Sequence, residues 1–214
     1  MPLFFQLDID TSTKLAVWNI EEEANFFLQY VPVHREIRHP HKHLQHLAGR
    51  YLLLHLFPQF PIELIKIADT SKPYLENEAY HFSISHCADF AAVIVSTEKR
   101  VGVDIEVTTP KLEKIKNRFS SSTEIEDLKK EFINRNHPKS STQQLTLLWS
   151  CKEAIFKWYG LGGVVFRDEI IFKKIKQIKE ENILTEICFK KWDDFSLQLN
   201  SRFLEDAVLS FVVT

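Results

Sequence analysis

The chain has 214 residues, of which 44% are hydrophobic and 12% aromatic, while only five are glycine. This length and composition can fill the core of one large domain or two small ones, and they exclude a mainly disordered chain. A formal net charge of -2 gives no basic excess, which argues against a nucleic-acid-binding protein and requires any phosphate site to be local. The sequence shows neither a signal peptide nor an apolar run of about 18 residues, so we expect a cytoplasmic protein without a membrane span.

Hydrophobic periodicity predicts that the first half combines strands with one long helix. Residues 41–57 carry apolar side chains at helical spacing, and Pro58 ends this helix. A shorter helix is expected over 21–30. The alternating and apolar runs indicate three strands, over 3–8, 80–85 and 90–96.

The second half is predicted to contain helices followed by strands. Residues 111–118 and 143–159 have helical patterns, the latter ending at Gly160, and the spacing of Ser121 and Glu124 is typical of a capping box. Four strands are expected, over 164–172, 184–190, 194–199 and 207–213. The last of them, AVLSFVV, is similar to the strand FAAVIVS of the first half, which suggests a duplicated α/β unit with a boundary near residue 100.

Two acidic side chains occur in the segment VGVDIE, residues 101–106. On a strand, the period of two places Asp104 and Glu106 on one face, while Val103 and Ile105 are buried on the other. Two carboxylates then point the same way. The exposed face of an ordinary amphipathic strand is the alternative explanation.

The segment WSCKEAIFK, residues 149–157, is predicted to lie on a helix. The i,i+4 spacing sets Glu153 and Lys157 one turn apart on one face, with Trp149 a turn earlier. If this helix packs against the acidic strand, three carboxylates and a lysine converge, which suits a divalent ion that holds a phosphate ester. Taken alone, the helix spacing is also explained by a surface ion pair.

Two earlier motifs, SKPY at 71–74 and SISH at 83–86, complete an ordered set of four. Together with the acidic strand and the WSCKEAIFK helix, they resemble the motifs of the 4′-phosphopantetheinyl transferases, and the chain length suits the long, surfactin-synthetase type. The resemblance covers residues 71–160. It implies an α+β fold of two similar α/β half-domains, 1–100 and 101–214, in a pseudo-twofold arrangement.

The resemblance also implies the reaction. Coenzyme A would donate its 4′-phosphopantetheine group to a serine of an acyl or peptidyl carrier protein and release 3′,5′-ADP, in an Mg²⁺-dependent reaction of the holo-[acyl-carrier-protein] synthase type. By match to the family motifs, the metal ligands would be Asp104, Glu106 and Glu153. Glu153 is also the candidate base for the acceptor serine, and the sequence does not separate these two roles.

The phosphates of coenzyme A have their own predicted contacts, again by resemblance. Lys157 would act in catalysis by pairing with the pyrophosphate, and Lys152 would reach the same group or an outer phosphate. His86, a further catalytic candidate, and Ser85 would each donate a hydrogen bond to a phosphate oxygen.

The nucleotide of coenzyme A would lie against the loop of Lys72 and Pro73. This chain has Ser71 where the family usually has glycine, so we expect an altered backbone approach to the nucleotide. A further basic residue should contact the 3′-phosphate, and we favour Arg38. The candidates in this stretch are Arg35, Arg38, Lys42 and Arg50.

Four histidines cluster near the start of the long helix: His39, His41, His43 and His46. His41 and His46 form no clean i,i+4 pair, and no carboxylate lies nearby in the sequence to complete a ligand set, which argues against a metal site. A helix start that carries basic and imidazole groups could instead assist the 3′-phosphate.

The basic stretch FKKIKQIK at 172–179 is the predicted contact for an acidic carrier protein. An edge strand kept soluble by lysines explains the same stretch equally well. Which carrier is served is not determined by the sequence. We expect a monomer, because a duplicated chain could form within itself the cleft that shorter relatives build between subunits.

Two other function classes use similar residues. A metal-dependent phosphodiesterase or nuclease also places carboxylates and a lysine around a phosphate. The lack of a basic excess and the presence of the SISH and SKPY motifs argue against it. A non-catalytic module that binds coenzyme A or a carrier is the second alternative, and the retention of all three carboxylates argues against that.

Overall fold

The structure is a computed structural model, and it describes residues 2–32, 37–191 and 193–214. It combines antiparallel sheets with helices, which confirms a mixed α/β fold. The chain forms two compact units, Met1–Ile105 with Val213–Thr214, and Glu106–Val212. The duplication and the pseudo-twofold arrangement stay predictions.

The first unit is built around a four-stranded sheet. Its described α-helices and strands are, in chain order, β1 (Leu3–Asp8), β2 (Thr13–Asn19), α1 (Ala24–Leu28), α2 (Pro40–Leu56), β3 (Lys66–Ile67), β4 (Pro73–Tyr74), β5 (His81–Cys87), β6 (Phe90–Ser96) and β7 (Val101–Val107), whose last two residues belong to the second unit. The sheet has the order β1-β2-β6-β5, and all neighbouring strands are antiparallel. Strands β3 and β4 form a separate small hairpin.

Strand β2 was not predicted from the sequence, although it lies in the middle of the sheet. Its residues Leu15, Ala16, Val17 and Trp18 are all buried. A strand covered on both faces has no alternation of apolar and polar side chains, so the period-two signal is absent.

Helix α2 packs against this sheet, and its helical pattern is confirmed. It begins with Pro40, after His39, whose Nδ1 accepts a hydrogen bond from the backbone N–H of Lys42 at 3.5 Å. The helix passes close to β5 at Gly49, where an added Cβ would lie 2.9 Å from Cγ2 of Ile84. Glycine therefore permits the close approach of helix and strand.

The second unit places helices on a second antiparallel sheet. Its described elements are α3 (Lys111–Phe119), α4 (Ser122–Asn134), α5 (Ser141–Tyr159), α6 (Phe166–Glu169), β8 (Ile170–Lys179), β9 (Asn182–Lys190), β10 (Asp194–Leu204) and β11 (Ala207–Val213). Strands β11, β10, β9 and β8 are neighbours in that order and are all antiparallel. Among the described residues, no helix is both long and apolar enough to cross a membrane.

The predicted strand over 164–172 is wrong in its first part, because Phe166–Glu169 form the short helix α6. The backbone N–H groups of Asp168 and Glu169 donate to the carbonyl of Val165, which closes a helical turn. The Glu169 carboxylate accepts from the backbone N–H of Val165 at 2.6 Å. These local bonds stabilise a turn that the apolar run alone does not indicate.

Helix α5 carries the WSCKEAIFK segment and has well-defined ends. Ser140 and Gln143 form a reciprocal capping box, and Gly160 ends the helix in the left-handed conformation with φ of 74°. The helix lies on the sheet, where Cys151 Sγ is 3.4 Å from Ser201 Oγ of β10. Its buried side thus faces the sheet, and a less buried stripe carries Trp149 and, one turn later, Glu153.

Candidate active site

Asp104 is held in place by the serines of the SISH motif. The backbone N–H groups of Val103 and Ile105 donate to Ser83 Oγ and Ser85 Oγ at 3.1 and 3.2 Å. Ser85 Oγ in turn donates to Asp104 Oδ1 at 2.8 Å. These two hydroxyls therefore fix β7 beside β5 and orient the carboxylate.

The Asp104 side chain is buried, with only 2% of the residue exposed. This excludes the explanation that it lies on the exposed face of an amphipathic strand. Ser85 directs the single proton of its hydroxyl at Asp104 and so orients this carboxylate. Its contact with a phosphate of coenzyme A stays a prediction.

Glu106, two residues along β7, is half-buried and bound to helix α5. The indole N–H of Trp149 donates to Glu106 Oε1 at 3.1 Å. The Trp149 ring packs against Phe119 and Phe166, with ring centroids 5.1 and 5.5 Å apart. Sequence reasoning placed Trp149 on the correct face but did not identify Glu106 as its partner.

Glu153 and Lys157 are half-buried and follow Trp149 at successive turns of α5. The predicted face of the helix is thus confirmed as the less buried stripe. The roles of Glu153 and Lys157 in catalysis and binding stay predictions.

Lys152 lies on a fully buried part of α5, next to the less buried stripe, and the prediction that it contacts a phosphate of coenzyme A conflicts with this position. Its residue exposure is 0%. The ammonium donates to Glu124 Oε2 at 2.9 Å and to the carbonyls of Phe119 and Phe166 at 2.7 and 3.1 Å. All three N–H groups of the ammonium are accounted for by protein acceptors. Burial lowers the pKa of Lys152, and Glu124 opposes this effect.

Glu124, the acidic partner of Lys152, was predicted only as a capping-box residue. Its backbone N–H does donate to Ser121 Oγ at 3.1 Å, as the cap requires. Its carboxylate accepts from Lys152, from Ser120 Oγ and from the backbone N–H of Phe172 at 2.6 Å. The buried pair therefore ties α3, α4, α5 and β8 together.

In the SKPY segment, Ser71 and Lys72 lie in the turn between β3 and β4, and Pro73 and Tyr74 form β4. The backbone N–H of Ala68 donates to the carbonyl of Lys72 at 2.9 Å, and the N–H of Ser71 donates to the carbonyl of Ala68 at 2.8 Å. Ser71 has φ of 66°, in the left-handed region that favours glycine. The loop thus adopts, with a serine, a conformation for which glycine is the usual residue.

Replacing Ser71 with glycine should raise the free energy of unfolding by about 0.5–1 kcal/mol, since the left-handed conformation is unfavourable for a side chain with Cβ. Chemical unfolding measures this change. The matched control is Gly163→Ala, where φ is 62° and no atom lies within 4 Å of the added Cβ. The free energy of unfolding of that variant should fall by about 1 kcal/mol, because alanine is unfavourable in the same left-handed conformation. A loss of stability in Ser71→Gly would contradict the assigned conformation.

Lys72 lies beside another cation in the first unit. Burial and the charge of Arg100 lower the pKa of Lys72 to about 8. That Lys72 contacts a phosphate of the nucleotide stays a prediction, as does the role of Pro73.

The histidines and arginines near α2 are placed as follows. His86 is exposed on β5. His41 Nε2 lies 3.0 Å from Asp89 Oδ1, which links the start of α2 to the β5–β6 turn. Arg50 lies 3.1 Å from His46 Nδ1. Arg38 is exposed, and so are His39, Pro40 and Lys42. Arg35 lies outside the described residues.

The basic stretch at 172–179 forms most of strand β8. Glu131 Oε2 accepts from the backbone N–H of Ile175 at 3.3 Å, and Arg135 donates to the carbonyl of the same residue. Helix α4 therefore covers part of the outer edge of β8. Lys174 and Lys176 lie 3.8 and 3.6 Å from Glu186 on β9. This arrangement supports the edge-strand explanation, and carrier docking here stays a prediction.

The three predicted metal ligands are divided between the units, with Asp104 in the first and Glu106 and Glu153 in the second. In the part of the chain that the structure describes, no group of three or more His, Cys, Asp or Glu side chains is placed to hold a metal ion. The magnesium site stays a prediction.

Comparison with known proteins identifies the family. A model of the 4′-phosphopantetheinyl transferase superfamily matches residues 100–212, which is more than half of the chain. The chain therefore belongs to this superfamily. The matched region contains Asp104, Glu106, Glu153 and Lys157.

Individual relatives resemble the chain at a moderate level. It is 33% identical to the 4′-phosphopantetheinyl transferase AcpT of Escherichia coli O157:H7 over 117 residues, which is 53% of this chain and 56% of the relative. It is 31% identical to the 4′-phosphopantetheinyl transferase psf-1 of Bacillus pumilus over 122 residues, 54% of this chain and 50% of the relative. Enterobactin synthase component D of Escherichia coli O157:H7 is 25% identical over 193 residues, 77% of this chain and 88% of the relative. The chain thus spans about half the length of the first two relatives.

Proposed function

We propose that this protein transfers the 4′-phosphopantetheine group of coenzyme A to a serine hydroxyl of an acyl or peptidyl carrier protein. The observation that carries the proposal is the buried carboxylate of Asp104, oriented by Ser85, in the region that matches the superfamily. Burial of a carboxylate opposes folding, so a chain that keeps one in this position is expected to use it.

The carboxylates of Asp104, Glu106 and Glu153 would hold Mg²⁺. They fit this ion in chemistry, because they offer hard oxygen donors with no thiolate or imidazole among them. Two of them are oriented by hydrogen bonds, from Ser85 and from Trp149. When bound, Mg²⁺ would neutralise charge on the pyrophosphate of coenzyme A.

The reaction forms a bond between the carrier serine Oγ and the phosphorus that carries the pantetheine arm. It breaks the pyrophosphate bond, and 3′,5′-ADP leaves. The serine proton would pass to the Glu153 carboxylate, directly or through water. Lys157, one turn further along the same helix face, would stabilise the phosphate oxygens on which negative charge accumulates. His86 would donate to a phosphate oxygen.

Lys72 would bind a phosphate of the nucleotide, with Pro73 beside it, and Arg38 would contact the 3′-phosphate. Because the pKa of Lys72 is about 8, its ammonium is mostly protonated below this pH and about one-tenth protonated at pH 9. The dissociation constant of coenzyme A should therefore rise as the pH increases from 7 to 9. Isothermal titration calorimetry measures it, and Lys72→Met should remove the pH dependence.

Lys66, on the neighbouring strand β3, supplies the control for this pH effect. Its ion pair with Glu76, at 2.6 Å, raises the pKa of Lys66, so its charge does not change in this pH range. Lys66→Met should keep the wild-type pH dependence. If Lys72→Met shows the same dependence as the wild type, Lys72 does not bind the nucleotide.

We further propose a cytoplasmic monomer in which each unit represents one copy of a duplicated element. Each unit has four neighbouring antiparallel strands, with α2 packed on those of the first and α5 on those of the second. This similarity supports the duplication. Size-exclusion chromatography with light scattering measures the oligomeric state, and the mass of a dimer would contradict the proposed monomer.

Release of 3′,5′-ADP tests the proposed reaction. Purified protein is incubated with coenzyme A, Mg²⁺ and an apo-carrier protein, and the nucleotide is quantified by liquid chromatography. We expect 3′,5′-ADP only when carrier and Mg²⁺ are both present, and none with EDTA. Nucleotide release without a carrier would indicate a phosphodiesterase. Binding of coenzyme A without release, for each of several carriers, would indicate a non-catalytic module.

A further inference from the structure

Glu106 lies where strand β7 changes from buried to half-buried residues. Residues 101–105 are buried, whereas Glu106 is half-buried. A glutamate in such a position has several rotatable bonds and would sample many orientations unless a contact selects one. The hydrogen bond from Trp149 Nε1 to Glu106 Oε1, at 3.1 Å, supplies such a contact within the second unit.

The indole of Trp149 is itself held firmly. Its ring lies against the rings of Phe119, at the end of α3, and Phe166, at the start of α6. The carbonyls of the same two phenylalanines accept hydrogen bonds from the buried ammonium of Lys152. The buried Lys152–Glu124 pair thus fixes the residues that pack around Trp149.

An indole N–H is suited to orienting a metal ligand. It donates one hydrogen bond and carries no charge, so it restricts rotation of the carboxylate without competing electrostatically with a cation. A lysine or arginine in the same place would partly neutralise the ligand. The bond to one carboxylate oxygen also sets the direction of the other.

We propose that Trp149 is a positioning residue that orients Glu106 toward the metal ion. This inference rests on the proposed transferase function, in which Glu106 is a magnesium ligand. Trp149 acts through Glu106 and does not contact the substrate. The Lys152–Glu124 pair supports this action by holding Phe119 and Phe166.

Trp149→Phe tests the proposal, because it removes the N–H donor and keeps an aromatic ring between Phe119 and Phe166. The Mg²⁺ concentration for half-maximal transfer should rise about 10-fold. The rate at saturating Mg²⁺ and the midpoint of thermal unfolding should stay near the wild-type values. Trp158→Phe is the matched control, since Trp158 packs on Phe189 at 6.1 Å and should keep the wild-type metal dependence. An unchanged metal requirement in Trp149→Phe would overturn the proposal.

A second readout does not depend on transfer activity. The chain has four tryptophans, so the ¹⁵N-labelled protein gives four indole N–H signals, and the one missing in Trp149→Phe is that of Trp149. Glu106→Ala should shift this signal in the metal-free protein, because the acceptor is lost. Mn²⁺ should broaden it at low stoichiometry in the wild type and less in Glu106→Ala.

These measurements separate the two claims. A Trp149 signal that responds to Glu106→Ala and to Mn²⁺, in a protein that modifies no carrier, would support the positioning role and contradict the transferase function. A Trp149 signal that Glu106→Ala leaves unchanged, in a protein that does modify a carrier, would overturn the positioning role alone.

Discussion

Replacing Lys152 with methionine should lower the free energy of unfolding of the second unit by about 3–5 kcal/mol. The ammonium is completely buried and donates to Glu124 and to the carbonyls of Phe119 and Phe166. Methionine has a similar volume but no donor, so the variant leaves a buried carboxylate and two carbonyls without this partner. Urea-induced unfolding followed by circular dichroism measures the loss.

An exposed ion pair on helix α4 provides the control. Lys130 lies 3.2 Å from Asp127 at the surface, and Lys130→Met should change the free energy of unfolding by less than about 0.5 kcal/mol. The double variant Lys152→Met/Glu124→Gln should recover part of the loss, because it leaves no buried charge. If Lys152→Met lowers the free energy of unfolding as little as Lys130→Met does, the ammonium of Lys152 is not buried in solution.

Neutralising either of two predicted site carboxylates should give the largest change in activity. Asp104→Asn and Glu153→Gln should each lower kcat/KM for transfer by about 100-fold or more. The new amide oxygen of Asp104→Asn can still accept the hydrogen bond from Ser85, so the variant removes the charge and keeps the contact. Initial rates with saturating coenzyme A, together with thermal unfolding by circular dichroism, measure both activity and fold.

Asp127→Asn, on the exposed surface of α4, is the matched control for this loss of charge. It should transfer at the wild-type rate. Wild-type rates in Asp104→Asn or in Glu153→Gln, with the fold intact, would refute the assignment of that carboxylate to the site.

The long helices and most strands could be predicted because their patterns are local. Helix α5 is an example, since the apolar period and Gly160 mark its face and its end. Strand β2 and helix α6 were missed for opposite reasons. The residues of β2 are buried on both faces and show no alternation, whereas α6 depends on the bond from Val165 to the Glu169 carboxylate.

The spacing of the site residues predicted their faces but not their partners. Trp149 and Glu153 do share one stripe of α5, yet no pattern identified the indole as the donor to Glu106. The period predicts Asp104 on the same face as Glu106. It does not show that Asp104 is buried against β5, where Ser85, distant in sequence, donates to its carboxylate. The period of a sequence pattern shows which residues share a face, but it does not show which element packs against that face.

Lys152 shows where the resemblance was misleading and which signal was available. It falls on the side of α5 that carries Leu148 and Ile155, both buried, so a helical projection places its charge in the core. A buried ammonium requires an acidic partner, which turned out to be Glu124. The family motif suggested that Lys152 contacts a phosphate, whereas its position on the helix indicated that it is buried.

The intact mass of a carrier protein tests the central claim most directly. An apo-carrier and its variant with the acceptor serine replaced by alanine are each incubated with the protein, coenzyme A and Mg²⁺, and are analysed by mass spectrometry. We expect the mass of the phosphopantetheine group to be added to the apo-carrier and not to the alanine variant. An unmodified apo-carrier, in a series that covers fatty-acid, polyketide and peptide carriers, would contradict the proposed transferase function.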